Sequence, residues 1–170
     1  MFSNQTLQTI SRLFVVVWFV VFVTSCGSKR SVENRIIHAD SIVYKSDFSP
    51  IQLKTPDFDL YAVYHFPKPE SLLTVYIEGD GRSWVSRYQL SSDPTPINPI
   101  ALRLAIINTE QAPNANIAWI ARPCQYQSNG GDVNCNPKYW SSHRFDEKVI
   151  NSTNSAIDQL MQKSGAKPPR

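Results

Sequence analysis

The three cysteines could support several kinds of chemistry, because a thiol can be acylated, oxidised to a disulfide or bound to a metal. Cys26 follows two small residues, Thr24 and Ser25, directly behind an apolar run. Cys124 and Cys135 are eleven positions apart, with the turn sequence Asn-Gly-Gly-Asp between them. No histidine lies at ligand spacing near this pair, so the pattern disfavours a metal site.

The segment before Cys26 predicts export. Leu13–Val23 is an apolar run of eleven residues preceded by Arg12. It is shorter than the roughly 20 apolar residues that cross a bilayer as a helix, and it has the size of a signal-peptide core. Val23-Thr24-Ser25-Cys26 resembles the lipobox of bacterial lipoproteins, with Val where Leu is commonest. The resemblance implies a signal peptide over residues 1–25 and a lipidated Cys26. The alternatives are an ordinary secretory signal and a retained transmembrane anchor.

A lipidated Cys26 implies both a partner and a location. The partner is membrane lipid, because two or more acyl chains hold a protein stably at a bilayer. Neither Gly27 nor Ser28 is the aspartate that resembles an inner-membrane retention signal, so we expect the cell envelope, the outer membrane rather than the inner. In an exported protein Cys124 and Cys135 are expected to form a disulfide. Two free thiols are the alternative.

The composition is that of one globular domain. The chain has 170 residues, of which 42% are apolar and 18% charged. The net charge of +3 is small and the basic residues are scattered, which argues against a nucleic-acid partner. We expect no metal and no cofactor. The sequence leaves the oligomeric state open.

The hydrophobic pattern predicts alternating strands and helices. Residues 26–49 are expected to be a linker with a short periodic stretch, and strands are expected at 58–66, 72–77 and 116–121. Asn98 is expected to cap a helix to about residue 108, with Pro99 at its first position. A second helix, capped by Ser141 or Ser142, should end near residue 164, with Gly165 just past its end. Its apolar stripe is expected to consist of Phe145, Val149, Ile157, Leu160 and Met161. This order predicts a three-layer α/β sandwich with a mostly parallel sheet.

Four segments in order carry a resemblance to a known family. They are LTVYIEGDGRSW (73–84), DPTPINPIALRLA (93–105), ANIAWIARPCQY (115–126) and CNPKYWSSHRF (135–145). They resemble a bacterial family of α/β-hydrolase-fold proteins, mostly of uncharacterised substrate and many of them secreted or lipid-anchored. The resemblance spans roughly residues 50–165. It implies that residues 50–170 form the amino-terminal part of a serine hydrolase acting on an ester or amide.

The resemblance also implies a site. In the α/β-hydrolase fold the loop after the third strand supplies one backbone N–H of the oxyanion hole, and the matching loop here is Gly79-Asp80-Gly81. Glycines there would let the backbone approach a reacting carbonyl oxygen; the alternative is a simple tight turn. Arg122 is expected to pair with Glu78 or Asp80 and brace this loop, rather than contact a substrate.

The catalytic triad of that fold is missing from the sequence. The nucleophilic serine sits in G-x-S-x-G, which occurs nowhere in the 170 residues. Four serines outside such a motif lack an activating neighbour: Ser83, Ser91, Ser141 and Ser142. None of the three histidines takes the catalytic place: His38, His65 and His143. We therefore expect a partial gene product that does not hydrolyse anything, with a small-molecule substrate only in a full-length form. The alternative is a non-catalytic envelope lipoprotein with a binding or assembly role.

Overall fold

The computed structural model describes residues 27–127 and 134–166. The chain divides into two compact units after Asn34, and the second unit contains the sheet. The helices are α1 (Gly27–Tyr44), α2 (Ile100–Gln111) and α3 (Glu147–Ser164), and a 3-10 turn covers Pro137–Trp140. The strands are β1 (Ser49–Lys54), β2 (Asp59–His65), β3 (Leu73–Ile77), β4 (Trp84–Ser86), β5 (Gln89–Leu90) and β6 (Asn116–Ile120). The predicted signal peptide and Cys26 lie outside the described residues.

The main sheet has the order β1-β2-β6-β3, and β4 and β5 form a separate hairpin. The pairs β1–β2 and β2–β6 are antiparallel, and only β3 and β6 are parallel. The α/β class is therefore confirmed, but the prediction of a mostly parallel sheet is wrong. The strands β1 and β2 are antiparallel because the connection between them is short, and a short connection allows an antiparallel pair only. The helix α2 lies between β3 and β6 and provides the longer crossover that a parallel pair needs.

Strand β6 is the centre of the domain and is buried along its whole length. Ile117 and Trp119 face a core that includes Leu102 of α2. Ala118 and Ile120 face the opposite core with Ala156 and Leu160 of α3. Because successive side chains of a strand point to opposite faces, a strand that is apolar from Ile117 to Ile120 fits a sheet covered on both sides. The predicted three-layer arrangement is thus present.

Residues 27–49 differ from the predicted linker. Most of this segment is α1, in which Ala39 and Val43 lie one turn apart and pack into the same core. The sequence also missed β1, in which only Leu53 is buried and Pro50 occupies the outer edge. A proline is tolerated on an edge strand, but it weakens the strand pattern in the sequence.

The two predicted helix starts are wrong in detail. Asn98 does not cap α2; its side chain accepts a hydrogen bond from Arg103 instead, at 2.7 Å. Helix α3 begins at Glu147, with Asp146 as its capping residue. Trp140 explains the later start of α3, because its buried indole donates to the carbonyl of Ser91 and fixes the preceding turn.

The end of α3 is as predicted, and its buried face is partly so. Gly165 follows the helix in the left-handed conformation with φ +68°. Val149 and Leu160 of the predicted stripe are buried. Phe145, also placed in that stripe, lies before the helix and is 67% exposed.

Candidate functional site

The ends of β3 and β6 define a crevice at the edge of the sheet. The chain leaves β3 towards α2 on one face, whereas it leaves β6 towards α3 on the other. Two adjacent parallel strands whose connections diverge in this way form a topological switch point, which is where open α/β sheets bind ligands. The loop Glu78–Gly81 after β3 and Arg122 after β6 lie at this position.

The buried side chain of Glu78 anchors the loop Glu78–Gly81. Its Oε2 atom accepts the indole N–H of Trp119 at 3.1 Å. Oε1 accepts the backbone N–H of Gly79 at 3.0 Å. The N–H groups of Ala101 and Leu102 point at the same carboxylate, at 3.4 and 3.5 Å. Glu78 therefore takes the place of a side-chain cap at the start of α2, where a negative charge is favourable.

The two glycines of the loop have different surroundings. Gly81 has φ +63°, and an added Cβ would collide with the carbonyl oxygen of Pro94 and lie 2.8 Å from the side-chain nitrogen of Gln125. An added Cβ on Gly79 would meet no atom within 4 Å. Only Gly81 is thus required by the conformation and packing of the loop.

The N–H groups of this loop are not equivalent either. Gly79 already donates to Glu78, and Arg82 donates to the carbonyl of Pro94 at 2.9 Å. The N–H groups of Asp80 and Gly81 make no hydrogen bond within residues 27–127 and 134–166. Of the three predicted oxyanion-loop residues, Asp80 and Gly81 therefore offer free donors and Gly79 does not.

Arg122 braces the loop as the sequence predicts, and its partner is Asp80. The guanidinium lies 3.0 Å from the Asp80 carboxylate and also donates to the carbonyl of Arg144. Arg144 lies 3.5 Å from the other oxygen of Asp80. Both guanidiniums pack against the ring of Phe145, at 5.6 and 5.1 Å from its centroid. Two cations thus share one carboxylate at the rim of the crevice.

Gln125 joins the two loops, although no pattern in the sequence indicates this role. Its side chain is buried; Oε1 accepts the N–H of Arg122 at 3.1 Å, and Nε2 donates to the carbonyl of Gly79 at 2.9 Å. The neighbours Cys124 and Tyr126 both have positive φ, +69° and +56°. A polar residue in a cysteine loop is ordinary in a sequence, so only the tertiary contacts distinguish Gln125.

The predicted disulfide lies next to Gln125. The sulfur atoms of Cys124 and Cys135 are at bonding distance, and the Cα atoms are 5.5 Å apart. Cys124 is buried in a small core with Phe58 and Trp140. The disulfide therefore ties the end of the β6 loop to the segment that precedes α3.

A groove opens beside the loop, with a volume of about 560 Å³. We call it the Trp84 groove. It is lined by the loop glycines, by side chains of the hairpin and the proline-rich loop, and by α2: Gly79, Gly81, Trp84, Ile97, Ala101 and Leu104. Its proline-rich wall is held in place by Arg35, which donates to the carbonyl of Thr95 and lies 3.7 Å from the Asp93 carboxylate.

Burial shifts the pKa of three groups beneath the site. It raises the pKa of Tyr126 well above the usual range, and the nearby charge of Glu78 adds to the effect. Burial also raises the pKa of Tyr61, and it lowers the pKa of Arg35. The Tyr126 hydroxyl is buried and has no hydrogen-bond partner in the part of the chain that the structure describes. A charged form of either tyrosine would be costly here.

The histidines lie away from the crevice in structural roles. The ring nitrogens of His65 are within hydrogen-bond distance of the carbonyls of Asp47 and Pro113. His38 contacts Arg103, and His143 contacts Ser142 in the turn before α3. Within the described ranges there is no group of three potential metal ligands, and no helix there is long and apolar enough to cross a membrane.

Comparison with family models, with curated proteins and with solved structures finds no match to this chain. The fold established by the structure is a mixed α/β domain with a partly parallel open sheet.

Proposed function

We propose that this protein is a lipid-anchored envelope lipoprotein whose domain is the amino-terminal half of a serine hydrolase fold. In this proposal the chain supplies the oxyanion loop and lacks the nucleophile, so it does not hydrolyse esters or amides alone. The observation that carries the proposal is a pair of N–H groups, of Asp80 and Gly81, that bond to none of the described residues and lie at the switch point of the sheet.

The order of elements supports this assignment. Because β1 precedes β2, the strand Leu73–Ile77 is third in chain order. In α/β-hydrolases the connection between the third strand and the next long helix supplies an oxyanion donor. The Glu78–Gly81 loop begins the connection between β3 and α2, and it is held by Glu78, Gln125 and Arg122.

The chemistry of such a loop is electrostatic. Fixed N–H donors stabilise the negative charge that develops on a carbonyl oxygen during acyl transfer, and one donor typically contributes about 3–4 kcal/mol. Attack on the carbonyl still needs an activated nucleophile. Since G-x-S-x-G does not occur in the sequence, we expect the chain to bind a carbonyl group without turning it over.

The catalytic part of the proposal is tested with a fluorophosphonate probe and short-chain nitrophenyl esters. We expect no labelled serine and no ester hydrolysis above buffer. Labelling of any serine would contradict the proposed lack of a nucleophile. If labelling occurs, Ser83→Ala and Ser142→Ala variants would show which serine reacts.

The anchoring part rests on the lipobox resemblance of Val23-Thr24-Ser25-Cys26. It is tested by expressing the protein in a bacterium fed with an alkyne-bearing fatty acid. We expect the label on the wild-type protein and its loss in Cys26→Ser, together with release of the variant from the membrane fraction of the envelope. Equal labelling of both proteins would refute anchoring at Cys26.

A non-catalytic role in binding is the second candidate. The Trp84 groove favours this binding role, because its exposed apolar walls could hold a ligand without the help of a catalytic group. A lipoprotein of this kind would bind a ligand at the membrane and pass it on unchanged.

A further inference from the structure

We propose that the Trp84 groove binds the alkyl chain of a single-chain anionic amphiphile of the fatty-acid class, with its head group at Arg82. This site goes beyond the proposed function, since ligand binding here requires neither a nucleophile nor the oxyanion donors. It can therefore stand if the hydrolase proposal fails, and the reverse is also true.

The walls of the groove are unusually apolar for a surface. Trp84, Ile97 and Leu104 line it and are 52%, 62% and 49% exposed. Ile100, one turn before Leu104 on α2, lines the same groove and is also exposed. Exposed apolar side chains that line one groove offer a surface that a ligand can remove from water.

The dimensions suit one flexible chain. The volume of about 560 Å³ lies within the range of about 300–1,000 Å³ that small-molecule sites occupy. Ile100, Ala101 and Leu104 of α2 line the groove together with Pro96 and Ile97 of the proline-rich loop. An elongated alkyl chain can cover these side chains along its length.

The charge at the groove selects the head group. Arg82 lines it, is half-buried, and makes no ion pair with any residue of the described ranges. The other charged residue of the lining is Glu78, whose carboxylate is turned to Trp119 and to the N–H groups at the start of α2. Glu78 keeps its negative charge but is only 6% exposed, so the accessible charge of the lining is the Arg82 guanidinium. This charge favours a carboxylate over a neutral or cationic head group.

The first experiment measures how affinity depends on chain length. Octanoate, nonanoate and decanoate are titrated into the full chain by calorimetry, below their micelle-forming concentrations. Each methylene that enters the groove should tighten binding about fourfold. Decyltrimethylammonium, with the same chain and the opposite charge, should bind more weakly than decanoate.

Two variants separate the contributions of chain and head group. Leu104→Gln removes an exposed apolar side chain and should weaken decanoate and 1-decanol alike, by about fivefold or more. Arg82→Gln should weaken decanoate by about two- to fivefold and leave 1-decanol unchanged. Matched controls are Ile150→Gln on α3, where the isoleucine is similarly exposed, and Arg87→Gln on the hairpin outside the groove. All variants keep the apolar run Leu13–Val23, so any binding of the amphiphile to that run cancels when the affinities of two variants are compared.

Trp84 gives an independent readout. Decanoate should change the tryptophan fluorescence of the wild-type protein, and Trp84→Phe should abolish the change while binding persists by calorimetry. The proposal is overturned if Leu104→Gln binds decanoate as tightly as Ile150→Gln does, or if Arg82→Gln weakens 1-decanol as much as decanoate. Equal affinity for decyltrimethylammonium and decanoate would also overturn it.

Discussion

The carboxylate of Glu78 accepts the indole N–H of Trp119 at 3.1 Å, across 41 positions of sequence. The bond joins the residue after β3 to the centre of β6, and the same carboxylate faces the first turn of α2. One buried side chain thus connects the two strands of the switch point and the helix between them.

The first prediction concerns this carboxylate. Glu78→Gln replaces one acceptor oxygen by an NH₂ group, which cannot accept the hydrogen bonds that the second oxygen receives. We expect the free energy of unfolding to fall by about 1–3 kcal/mol, measured by urea denaturation. Glu110→Gln, on the exposed side of α2, is the control and should change stability little. Equal losses in both variants would show that the buried bonds contribute nothing specific.

The second prediction compares the two loop glycines. Gly81→Ala must adopt a left-handed backbone and displace Pro94 or Gln125, so we expect a loss of at least about 2 kcal/mol. Gly79→Ala places its methyl group in open space and should stay within about 0.5 kcal/mol of the wild type. Thermal denaturation of the two variants measures the difference. A tolerated Gly81→Ala would mean that the loop does not have this conformation.

The third prediction concerns the disulfide. Under the chain-entropy model, a bridge across this short loop stabilises the folded state by about 3 kcal/mol. The double variant Cys124→Ser/Cys135→Ser should lose about that much, and a reducing agent should lower the stability of the wild type but not that of the variant. Hydrogen exchange should also quicken at Arg122, whose N–H is bonded to Gln125. A wild type that is indifferent to reduction would argue against a stabilising bridge.

The fourth prediction concerns Tyr126, whose hydroxyl is buried without a partner among the described residues. Tyr126→Phe removes this unsatisfied group, so the free energy of unfolding at neutral pH should rise by about 1 kcal/mol. Tyr44→Phe, at a tyrosine that is 90% exposed, should have no effect. A clear loss of stability in Tyr126→Phe would indicate that the hydroxyl is satisfied after all.

The same tyrosine predicts a dependence on pH. Its pKa is raised in the folded state from the ordinary value of 10.0, so only the unfolded chain loses this proton just above that pH. The unfolded state then binds fewer protons, and stability falls as the pH rises above 10.0. Each such tyrosine contributes a slope of about 1.4 kcal/mol per pH unit. Tyr126→Phe should remove one such contribution and leave that of Tyr61, as urea denaturation at alkaline pH would show.

The sequence was sufficient for the elements with strong local patterns. The apolar strand around Trp119, the strand before Glu78 and the left-handed Gly165 were all located from residue types alone. The strand Ser49–Lys54 was missed because four of its six residues are exposed and it contains a proline. The wrong prediction of a mostly parallel sheet followed in part from that omission, since β1 and β2 form one of the two antiparallel pairs of the main sheet.

The sequence placed Gly79-Asp80-Gly81 and Arg122 after two apolar strands, and the structure brings both to one edge of the sheet. The contacts within this region could not be predicted in the same way. The choice of Asp80 rather than Glu78 as the partner of Arg122 depends on which carboxylate is buried. Besides the nearby N–H of Arg122, the side chain of Gln125 contacts the carbonyls of Pro94 and Gly79, which the fold brings close from 31 and 46 positions away. Contacts of that range have no signature in the local sequence.

The missing side-chain cap of α2 has a consequence for the order of folding. Asn98 does not cap the helix, and the N–H groups of its first turn point at Glu78, 23 and 24 positions earlier in the chain. A peptide of residues 98–111 alone therefore has few means to nucleate, and short isolated helices are marginal in water in any case. We expect α2 to form late, together with the pairing of β3 and β6, so that helix and sheet appear in a single kinetic phase. Contacts between residues so distant in sequence also make that phase slower than the folding of a helical bundle of similar size.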